Sequence, residues 1–305
     1  EFLALADRIG IQVTVSPYPM SRADSSWDRR LAEGLAFLRR RVTGDYEVDE
    51  FGYDKELTDQ VLMSLIRPLY ENYFRVEVKG IENIPSDGGA LVVSNHSGTL
   101  PLDGLMMQVA VHDNHPAGRH LRLLAADLVF MLPVVNELAR KAGHTLACAE
   151  DAERLLERGE IVGVMPEGFK GLGKPFGERY KLQRFGRGGF VSTALRHGVP
   201  IVPCSIVGAE EIYPMIGNSK TLARLLGFPY FPITPTFPWL GPLGALPLPT
   251  KWTIQFSDLL AGAAAARRGL DAPDDLVHHG QLGCLVVDVE PGAHDDQHLL
   301  CAGGG

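Results

Sequence analysis

Short apolar runs alternate with helix-spaced apolar positions along the chain between residues 55 and 257. The runs predict strands buried on both faces. We expect strands over 75–78, 90–94, 121–125, 161–165, 201–207 and 251–256. Helical spacing predicts helices over 55–70, 102–111, 128–142, 150–157 and 188–197. Strands separated by helices indicate an α/β fold, with a central, mostly parallel sheet flanked by helices.

A further helix is predicted over 27–43, ahead of the alternating region. Its apolar residues share one face, which arginines surround, because they recur at helical spacing: Leu31, Leu35, Leu38 and Val42. Such a helix either packs on its own domain with its arginines in water, or lies on an anionic lipid surface. The residues leave both alternatives open.

Composition divides the chain into a body and a tail. Of the 305 residues, 45% are hydrophobic, which is enough for a core and excludes disorder throughout. The formal net charge is −8, and residues 258–305, with eight acids and two bases, hold −6 of it. We therefore predict an N-terminal extension (1–54), a principal domain (55–257) and an atypical, poorly ordered tail (258–305). The acidic balance excludes nucleic-acid binding through bulk charge.

The cysteines and the histidines of the tail form no recognisable metal-binding pattern. Four widely spaced cysteines without a CxxC pair are typical of small core residues in a reducing compartment. The tail histidines lack the spacing of a metal site: His278, His279, His294 and His298. No metal and no resident cofactor are predicted.

The stretch 225–250 has no charged residue and contains seven prolines among its aromatic residues. So many prolines exclude a membrane-spanning helix, because each lacks a backbone N–H donor. The stretch either covers the core as a long loop or dips into a lipid interface, where Trp and Tyr are favoured. In the second case, we expect Phe231, Phe237 and Trp239 to insert.

The first group of candidate catalytic residues follows the strand predicted at 90–94. Asn95 and His96 come directly after it, and Asp103 lies two residues after Pro101, in the first turn of the next helix. Open α/β sheets bind ligands at the carboxyl ends of their strands, so His96 is well placed for catalysis. Asp103 either folds back toward His96 or only complements the helix dipole.

A second group follows the strand predicted at 161–165. Residues 167–187 are rich in glycine and hold six bases and two acids. Glycines let the backbone approach a ligand, and lysine, arginine and amide groups together suit phosphate. The segment is either a phosphate-binding loop or a solvated basic surface. The candidate substrate-binding residues of the two groups are Asn95, Gly98, Glu167, Gly168, Lys170, Lys174 and Arg187.

Taken in order, these motifs resemble those of the phospholipid/glycerol acyltransferase superfamily, over residues 60–257. That family carries a His-x4-Asp box, a Pro-Glu-Gly box and a Val-Pro-Ile-Val-Pro strand. The matching segments here are His96 to Asp103, Pro166-Glu167-Gly168 and Val199-Pro200-Ile201-Val202-Pro203. Segments 177–182 and 187–190 further resemble the branch that includes monoacylglycerol and diacylglycerol acyltransferase-like proteins.

The sequence departs from the family pattern in two places. Six residues, not four, separate His96 from Asp103, and the usual Glu-Gly-Thr-Arg box ends in Phe169-Lys170. The arginine that the resemblance would assign to an acceptor phosphate is therefore missing. Lys170 or Lys174 is the expected substitute.

The resemblance implies transfer of a fatty acyl group from acyl-CoA or acyl-carrier protein to a hydroxyl of a glycerolipid or lysophospholipid. His96 is then the general base and Asp103 holds its imidazole. The implied partners are the donor, a glycerolipid acceptor and a membrane surface, with the protein peripheral on the cytoplasmic side. Two alternatives remain: a lipid hydrolase that uses the same dyad, and a non-catalytic lipid-binding protein.

Overall fold

The computed structural model describes residues 24–185 and 189–259, with side chains from residue 34 onward. Two compact units divide the chain after Glu47. The N-terminal unit contributes helix α1 (Asp24–Thr43), which confirms the helix predicted over 27–43. The predicted tail lies outside the described residues from residue 260 on.

The second unit begins at Val48, seven residues before the predicted start of the principal domain at residue 55. Phe51 is buried in one of the hydrophobic cores that line the central sheet, and the Asp54 amide donates a backbone hydrogen bond of 3.1 Å to the Lys141 carbonyl. Residues 48–54 therefore pack with the unit that follows them. The remaining domain assignments stay predictions.

A central sheet forms the frame of the second unit within the described residues. Its strands are β1 (Glu77–Lys79), β2 (Ala90–Ser94), β3 (Leu121–Ala125), β4 (Thr145–Leu146), β5 (Ile161–Val164), β6 (Ile201–Val207) and β9 (Thr253–Phe256). A separate two-stranded ribbon joins β7 (Gly217–Asn218) to β8 (Pro232–Ile233).

The sheet has the strand order β1-β9-β6-β2-β5-β3-β4. All neighbours are parallel except β6 and β9. This confirms the predicted α/β fold with a mostly parallel sheet. Strand β2 lies at the centre between β5 and β6, so the loops that follow these three parallel strands meet at one edge of the sheet.

Helices cover both faces of the sheet. They are α2 (Lys55–Leu57), α3 (Met63–Pro68), α4 (Leu102–Asn114), α5 (Asp127–Met131), α6 (Val135–Lys141), α7 (Ala149–Glu157), α8 (Phe169–Leu172), α9 (Gly189–His197) and α10 (Lys220–Leu226). Two π-helical turns, Thr58–Leu62 and Leu69–Tyr73, continue α2 and α3 into one helical run.

The described residues form two hydrophobic cores, one on each face of the central sheet, and β2 contributes side chains to both. Ala90 and Val92 belong to the core that contains α3 and α4, whereas Leu91 and Val93 belong to the core of α7 and α9. Because successive side chains of a strand point to opposite faces, a continuous apolar run fills both cores. The run at 90–94 was therefore read correctly as a buried strand.

The helix predicted over 128–142 is wrong, because it is broken into α5 and α6. Pro133 has no backbone N–H and drives the residue before it out of the helical region. Leu132 is accordingly extended, with ψ 122°, and Val134 has a positive φ of 66°.

The uncharged stretch 225–250 contains β8 and a 3₁₀ turn at Gly241–Ala245. Tyr213 and Tyr73 donate hydroxyl hydrogen bonds to the carbonyls of Ala245 and Pro247, at 2.6 and 2.5 Å. These bonds attach the stretch to the rest of the second unit. Within the part of the chain that the structure describes, no helix has both the length and the hydrophobicity needed to cross a bilayer.

Candidate active site

Asn95 fixes the point where the chain leaves the central strand. Its side-chain amide donates to the carbonyl of Ile206 at 2.9 Å and accepts from the amide of the same residue at 2.7 Å. The side chain thus continues the pairing of β2 with β6 by one step. These bonds use both ends of the amide for positioning His96, and the predicted contact of Asn95 with substrate stays a prediction.

His96 and Asp103 form a hydrogen-bonded pair. The Nδ1 atom of His96 lies 2.8 Å from Oδ2 of Asp103. The Asp103 side chain is fully buried, while 12% of the His96 side chain reaches the surface. A carboxylate can only accept, so Nδ1 carries the hydrogen and Nε2 keeps its lone pair. The folding back of Asp103 toward His96 is therefore confirmed.

Asp103 has further hydrogen bonds that hold it in place. Its Oδ2 atom also accepts from the Ser97 amide, and its Oδ1 atom accepts from the Gly104 amide, both at 2.8 Å. These donors lie at the turn before α4 and in its first turn, where a carboxylate also complements the helix dipole. Both interpretations of Asp103 made from the sequence therefore apply together.

The loop between His96 and Asp103 folds tightly, which brings the two side chains together. Gly98 and Thr99 have positive φ angles of 89° and 58°. A Cβ atom at Gly98 would lie 2.7 Å from the carbonyl oxygen of Ala209, so this glycine is required for close backbone packing. Gly98 was predicted to bind substrate, and the structure shows it packed against the chain that follows β6.

Glu167 braces the site from the neighbouring strand β5. One of its carboxylate oxygens accepts from the His96 amide at 2.9 Å, and the other accepts from the Gln183 amide at 2.7 Å. Its side chain is fully buried. Glu167 therefore links three segments of backbone, and contact with an acceptor hydroxyl stays a prediction.

Lys174 is buried beside Glu167 rather than held out toward solvent. Its ammonium lies 2.9 Å from Glu210 and 3.7 Å from Glu167, with 4% of the side chain exposed. Burial raises the pKa of Glu210 above its usual range, although the positive charge of Lys174 opposes this. A buried charge of this kind is held by its partners, so the structure gives Lys174 a structural task where we predicted a phosphate contact.

The other predicted residues of the glycine-rich segment differ in their surroundings. Gly168 has a positive φ of 53° at the start of α8, and its amide donates to the Met165 carbonyl at 3.0 Å. Lys170 is exposed on α8. Arg187 lies outside the described residues. Of the two predicted cationic contacts that the structure describes, Lys174 is buried and Lys170 is exposed.

Two residues near the dyad were missed as site residues. The Tyr230 hydroxyl donates to the Thr99 carbonyl, and burial raises the pKa of this phenol. A Cβ atom at Gly171 would collide with the His96 carbonyl oxygen, so α8 packs directly on the dyad's backbone. Tyr230 lies more than a hundred residues from Thr99 in the chain, and no local pattern could reveal the contact.

Comparison with known proteins identifies the family. The family model described as acyltransferase matches residues 75–207, which span β2, His96, Asp103 and Glu167. An uncharacterised protein of Mycobacterium tuberculosis is 62% identical over 243 residues, covering 80% of this chain and 68% of that protein. The chain belongs to the phospholipid/glycerol acyltransferase superfamily.

Two other similarities are more distant. A human protein, the DGAT1/2-independent enzyme synthesizing storage lipids, is 28% identical over 53% of this chain and 50% of its own length. The solved structure of the 1-acyl-sn-glycerophosphate acyltransferase PlsC from Thermotoga maritima is 20% identical, with a TM-score of 0.47. It covers 82% of this chain and 84% of the PlsC chain. The branch of the superfamily to which this acyltransferase belongs stays a prediction.

We expect Asp103→Asn to lower the rate of acyl transfer by about 10²-fold or more, the scale of general-base catalysis. An amide nitrogen cannot accept a hydrogen bond. The substituted side chain therefore either faces the Gly104 amide with a second donor or forces the wrong tautomer on His96. Initial rates of acyl transfer measure the effect.

Asp127→Asn is the matched control, because Asp127 is an exposed acid in the first turn of the helix after β3. It should keep nearly the full rate. If Asp103→Asn retained more than about a tenth of the rate, the loss would be smaller than the usual contribution of a general base. His96 and Asp103 would then not be the catalytic pair of this acyltransferase.

Proposed function

We propose that this acyltransferase moves a fatty acyl group from acyl-CoA or acyl-carrier protein to a hydroxyl of a glycerolipid or lysophospholipid. The observation that carries the proposal is the pair formed by buried Asp103 and partly exposed His96, whose side chains meet at 2.8 Å. The pair lies at the carboxyl edge of a parallel sheet, where such folds bind ligands. No resident cofactor is needed for this chemistry.

The chemistry follows from the tautomer that Asp103 imposes. The lone pair on Nε2 of His96 takes the proton of the acceptor hydroxyl as its oxygen attacks the thioester carbon. Asp103 stabilises the imidazolium that forms. The tetrahedral intermediate then collapses to the ester, and the departing thiolate receives the proton from His96. Each proton and bond is accounted for without a nucleophilic residue of the protein.

The oxyanion of the intermediate requires hydrogen-bond donors. We consider the backbone amides near Gly98 and Gly168, two of the residues that the sequence predicts to bind substrate. The Gly168 amide is bonded to the Met165 carbonyl at 3.0 Å, and the Ser97 amide is bonded to Asp103. These two amides are therefore committed to the loop, and Gly98 is the remaining candidate of the original pair.

Product analysis with a radiolabelled acyl thioester and a panel of lipid acceptors tests the proposed reaction. We expect labelled ester from the wild-type protein and a loss of about 10²-fold or more in His96→Ala, because the base that activates the hydroxyl is removed. His197→Ala is the control, since His197 also lies near carboxylates but on α9, away from the dyad.

The products distinguish the alternatives. Labelled free fatty acid in place of ester would indicate a hydrolase that uses the same dyad on water. Absence of any turnover with every acceptor, together with lipid binding that His96→Ala leaves unchanged, would indicate a lipid-binding protein without catalytic activity.

The basic segment after β5 is proposed to hold a phosphate of the donor or of the acceptor. Lys174 is paired with buried carboxylates, but the other described basic residues of the segment are exposed: Lys170, Arg179, Lys181 and Arg184. A neutral acceptor is also consistent with this chemistry, because CoA and acyl-carrier protein both bring phosphate with the donor. The name of the human relative, which refers to the synthesis of storage lipids, favours a neutral acceptor.

We expect Lys170→Glu combined with Lys181→Glu to raise the KM for the phosphate-bearing substrate more than it lowers kcat. Both side chains are exposed, so reversing their charge changes the local field without disturbing a buried pair. Steady-state kinetics with donor and acceptor varied separately show which substrate responds. Lys79→Glu, on the exposed strand β1, is the control; equal KM values in all three proteins would make the segment a solvated surface.

We further propose that the protein works as a peripheral protein at the cytoplasmic side of a membrane, where its lipid substrates are held. The stretch 225–250 supports this, because Trp239 and Leu243 are 71% and 69% exposed. The same stretch contains Tyr230, whose hydroxyl bonds to the loop beside His96. A second exposed apolar group, Met131 and Val134, follows β3 at the same edge of the sheet.

The structure changes which residues are expected to insert. Phe231 and Phe237 are partly buried and pack against each other, with ring centroids 5.5 Å apart. Of the three residues that the sequence indicated, Trp239 is the exposed one. On α1, the apolar side chains of Leu38 and Val42 are also exposed. With these residues and the neighbouring arginines, α1 stays a candidate for electrostatic attraction to an anionic lipid surface.

We expect binding to anionic liposomes to weaken in high salt but to persist, because salt screens charge and leaves apolar insertion in place. Trp239→Asp combined with Leu243→Asp should remove the persistent part. Vesicle co-sedimentation at low and high salt measures the electrostatic attraction and the apolar insertion separately. The control is Leu65→Asp, an equally exposed apolar residue on α3; wild-type binding by the double variant at high salt would place the lipid contact elsewhere.

A further inference from the structure

A group of ionisable side chains outside the active site surrounds the carboxyl-terminal end of α4. His112 lies there between two carboxylates: its Nε2 atom is 3.1 Å from Oδ1 of Asp59, and its Nδ1 atom is 2.5 Å from Oδ1 of Asp113. A neutral imidazole has one N–H and can satisfy one of these acceptors. The second nitrogen therefore needs a proton or another cation between it and its carboxylate.

His120 approaches the same carboxylate from the start of β3. Its Nε2 atom lies 2.8 Å from the same Oδ1 atom of Asp59 that faces His112. The two imidazole rings are 5.1 Å apart and nearly perpendicular. Two ring nitrogens and one carboxylate oxygen thus converge, all within 4.8 Å of one another.

The surroundings of the group resemble those of a metal centre. Arg67 donates two hydrogen bonds to Asp113, at 2.7 and 2.8 Å, and so fixes the carboxylate that faces Nδ1 of His112. A carboxylate in this position selects the tautomer whose Nε2 atom is a lone-pair ligand, as the outer partners of metal-bound histidines do. With the hydrogen on Nδ1, the lone pair of Nε2 in His112 is available to bind a cation.

A buried hydroxyl lies beside the same group. The Tyr53 oxygen is enclosed and has no hydrogen-bond partner among the described residues. Its ring centroid is 6.1 Å from that of His120. Burial raises the pKa of the Tyr53 phenol, so the hydroxyl keeps its proton and needs an acceptor. A buried hydroxyl without a partner is costly, and a water bound to an ion is one way to satisfy it.

We propose that His112, His120 and Asp59 bind a divalent transition-metal ion of the zinc class. Two imidazoles and one carboxylate form a donor set that zinc accepts, with a fourth position for water. A tetrahedral ion with bonds of about 2.0–2.1 Å keeps its ligand atoms about 3.3 Å apart. The contacts of 2.8 and 3.1 Å need to open by only a few tenths of an ångström.

The site serves the structure rather than the acyl-transfer step. His112 is nine residues beyond Asp103 on the same helix, a separation of about 13 Å along its axis. The ion connects the end of α4 to the start of β3 and to the π-helical turn Thr58–Leu62 that carries Asp59. The three side chains are partly exposed, so the ion can enter from solvent.

Zinc binding by the full chain, stripped of metal with a chelator and returned to chelator-free buffer, tests the site. Titration with Zn²⁺ should show a site in the wild type that is at least about 10-fold weaker in His120→Gln, and about 10–100-fold weaker in Asp113→Asn, which removes an outer partner. His120→Gln keeps a hydrogen-bond donor toward Asp59 but loses the imidazole ligand. Thermal unfolding in chelator confirms that each variant is folded.

His197→Gln is the matched control, because His197 lies 4.0 and 3.8 Å from two carboxylates without a second imidazole. It should bind Zn²⁺ as the wild type does. The chain has other histidines, including four in the tail, so the difference between wild type and variant is the measure. Visible absorption of Co²⁺ in the same proteins gives a second readout that does not depend on acyl transfer.

Equal Zn²⁺ affinity and stoichiometry in the wild type and in both His120→Gln and Asp113→Asn would overturn the proposal. The hydrogen bond to Asp59 raises the pKa of His112, so the group would then be an ion-pair network held by a proton. Such a network would lose stability as the pH rises through this raised pKa, whereas zinc binding strengthens as the histidines lose their protons.

Discussion

The buried carboxylate of Asp103 determines the geometry of the candidate active site. It accepts hydrogen bonds from the His96 ring, from the turn before α4 and from the first turn of α4 itself. An uncompensated charge in this position would be expensive, so the surrounding donors must stay in place for the protein to fold. The same bonds fix the tautomer of His96. Local folding and the arrangement of the His96–Asp103 pair therefore depend on one side chain, and the tight loop at Gly98 and Thr99 is the conformation that allows it.

A second buried network sets the position of His96 from the other side. Glu167 holds the His96 amide and the Gln183 amide, and Lys174 lies between Glu167 and Glu210. Because every member of this network is paired within the protein, its energetic effect is to fix the arrangement of the loops after β2, β5 and β6. Tyr230 extends the arrangement to the uncharged stretch. The surface proposed to meet lipid and the loop that carries the dyad are thus mechanically connected.

The strands at 90–94, 121–125 and 201–207 could be predicted to the residue, because each is a short, mainly apolar segment of the kind that a buried parallel sheet requires. The pairing of His96 with Asp103 was one of two alternatives, and the structure shows both tasks of the acid. The sequence could not predict the burial of Lys174, because its partner Glu210 comes from a distant loop. The break at Pro133 was a misjudged local signal. The convergence of Asp59, His112 and His120 depends on three separate elements and had no sequence pattern.

The compressed turn between His96 and Asp103 bears on how such enzymes are recognised. A search motif with a fixed interval counts residues, whereas proton transfer depends on the distance between two atoms. The six-residue interval is accommodated here by the positive φ angles of Gly98 and Thr99 and by the close packing of Gly98 on Ala209. A longer interval can therefore keep the imidazole and the carboxylate within hydrogen-bond distance while the sequence motif changes. Genome surveys that allow a variable interval, and that require a glycine within it, would recover chains that a rigid pattern discards.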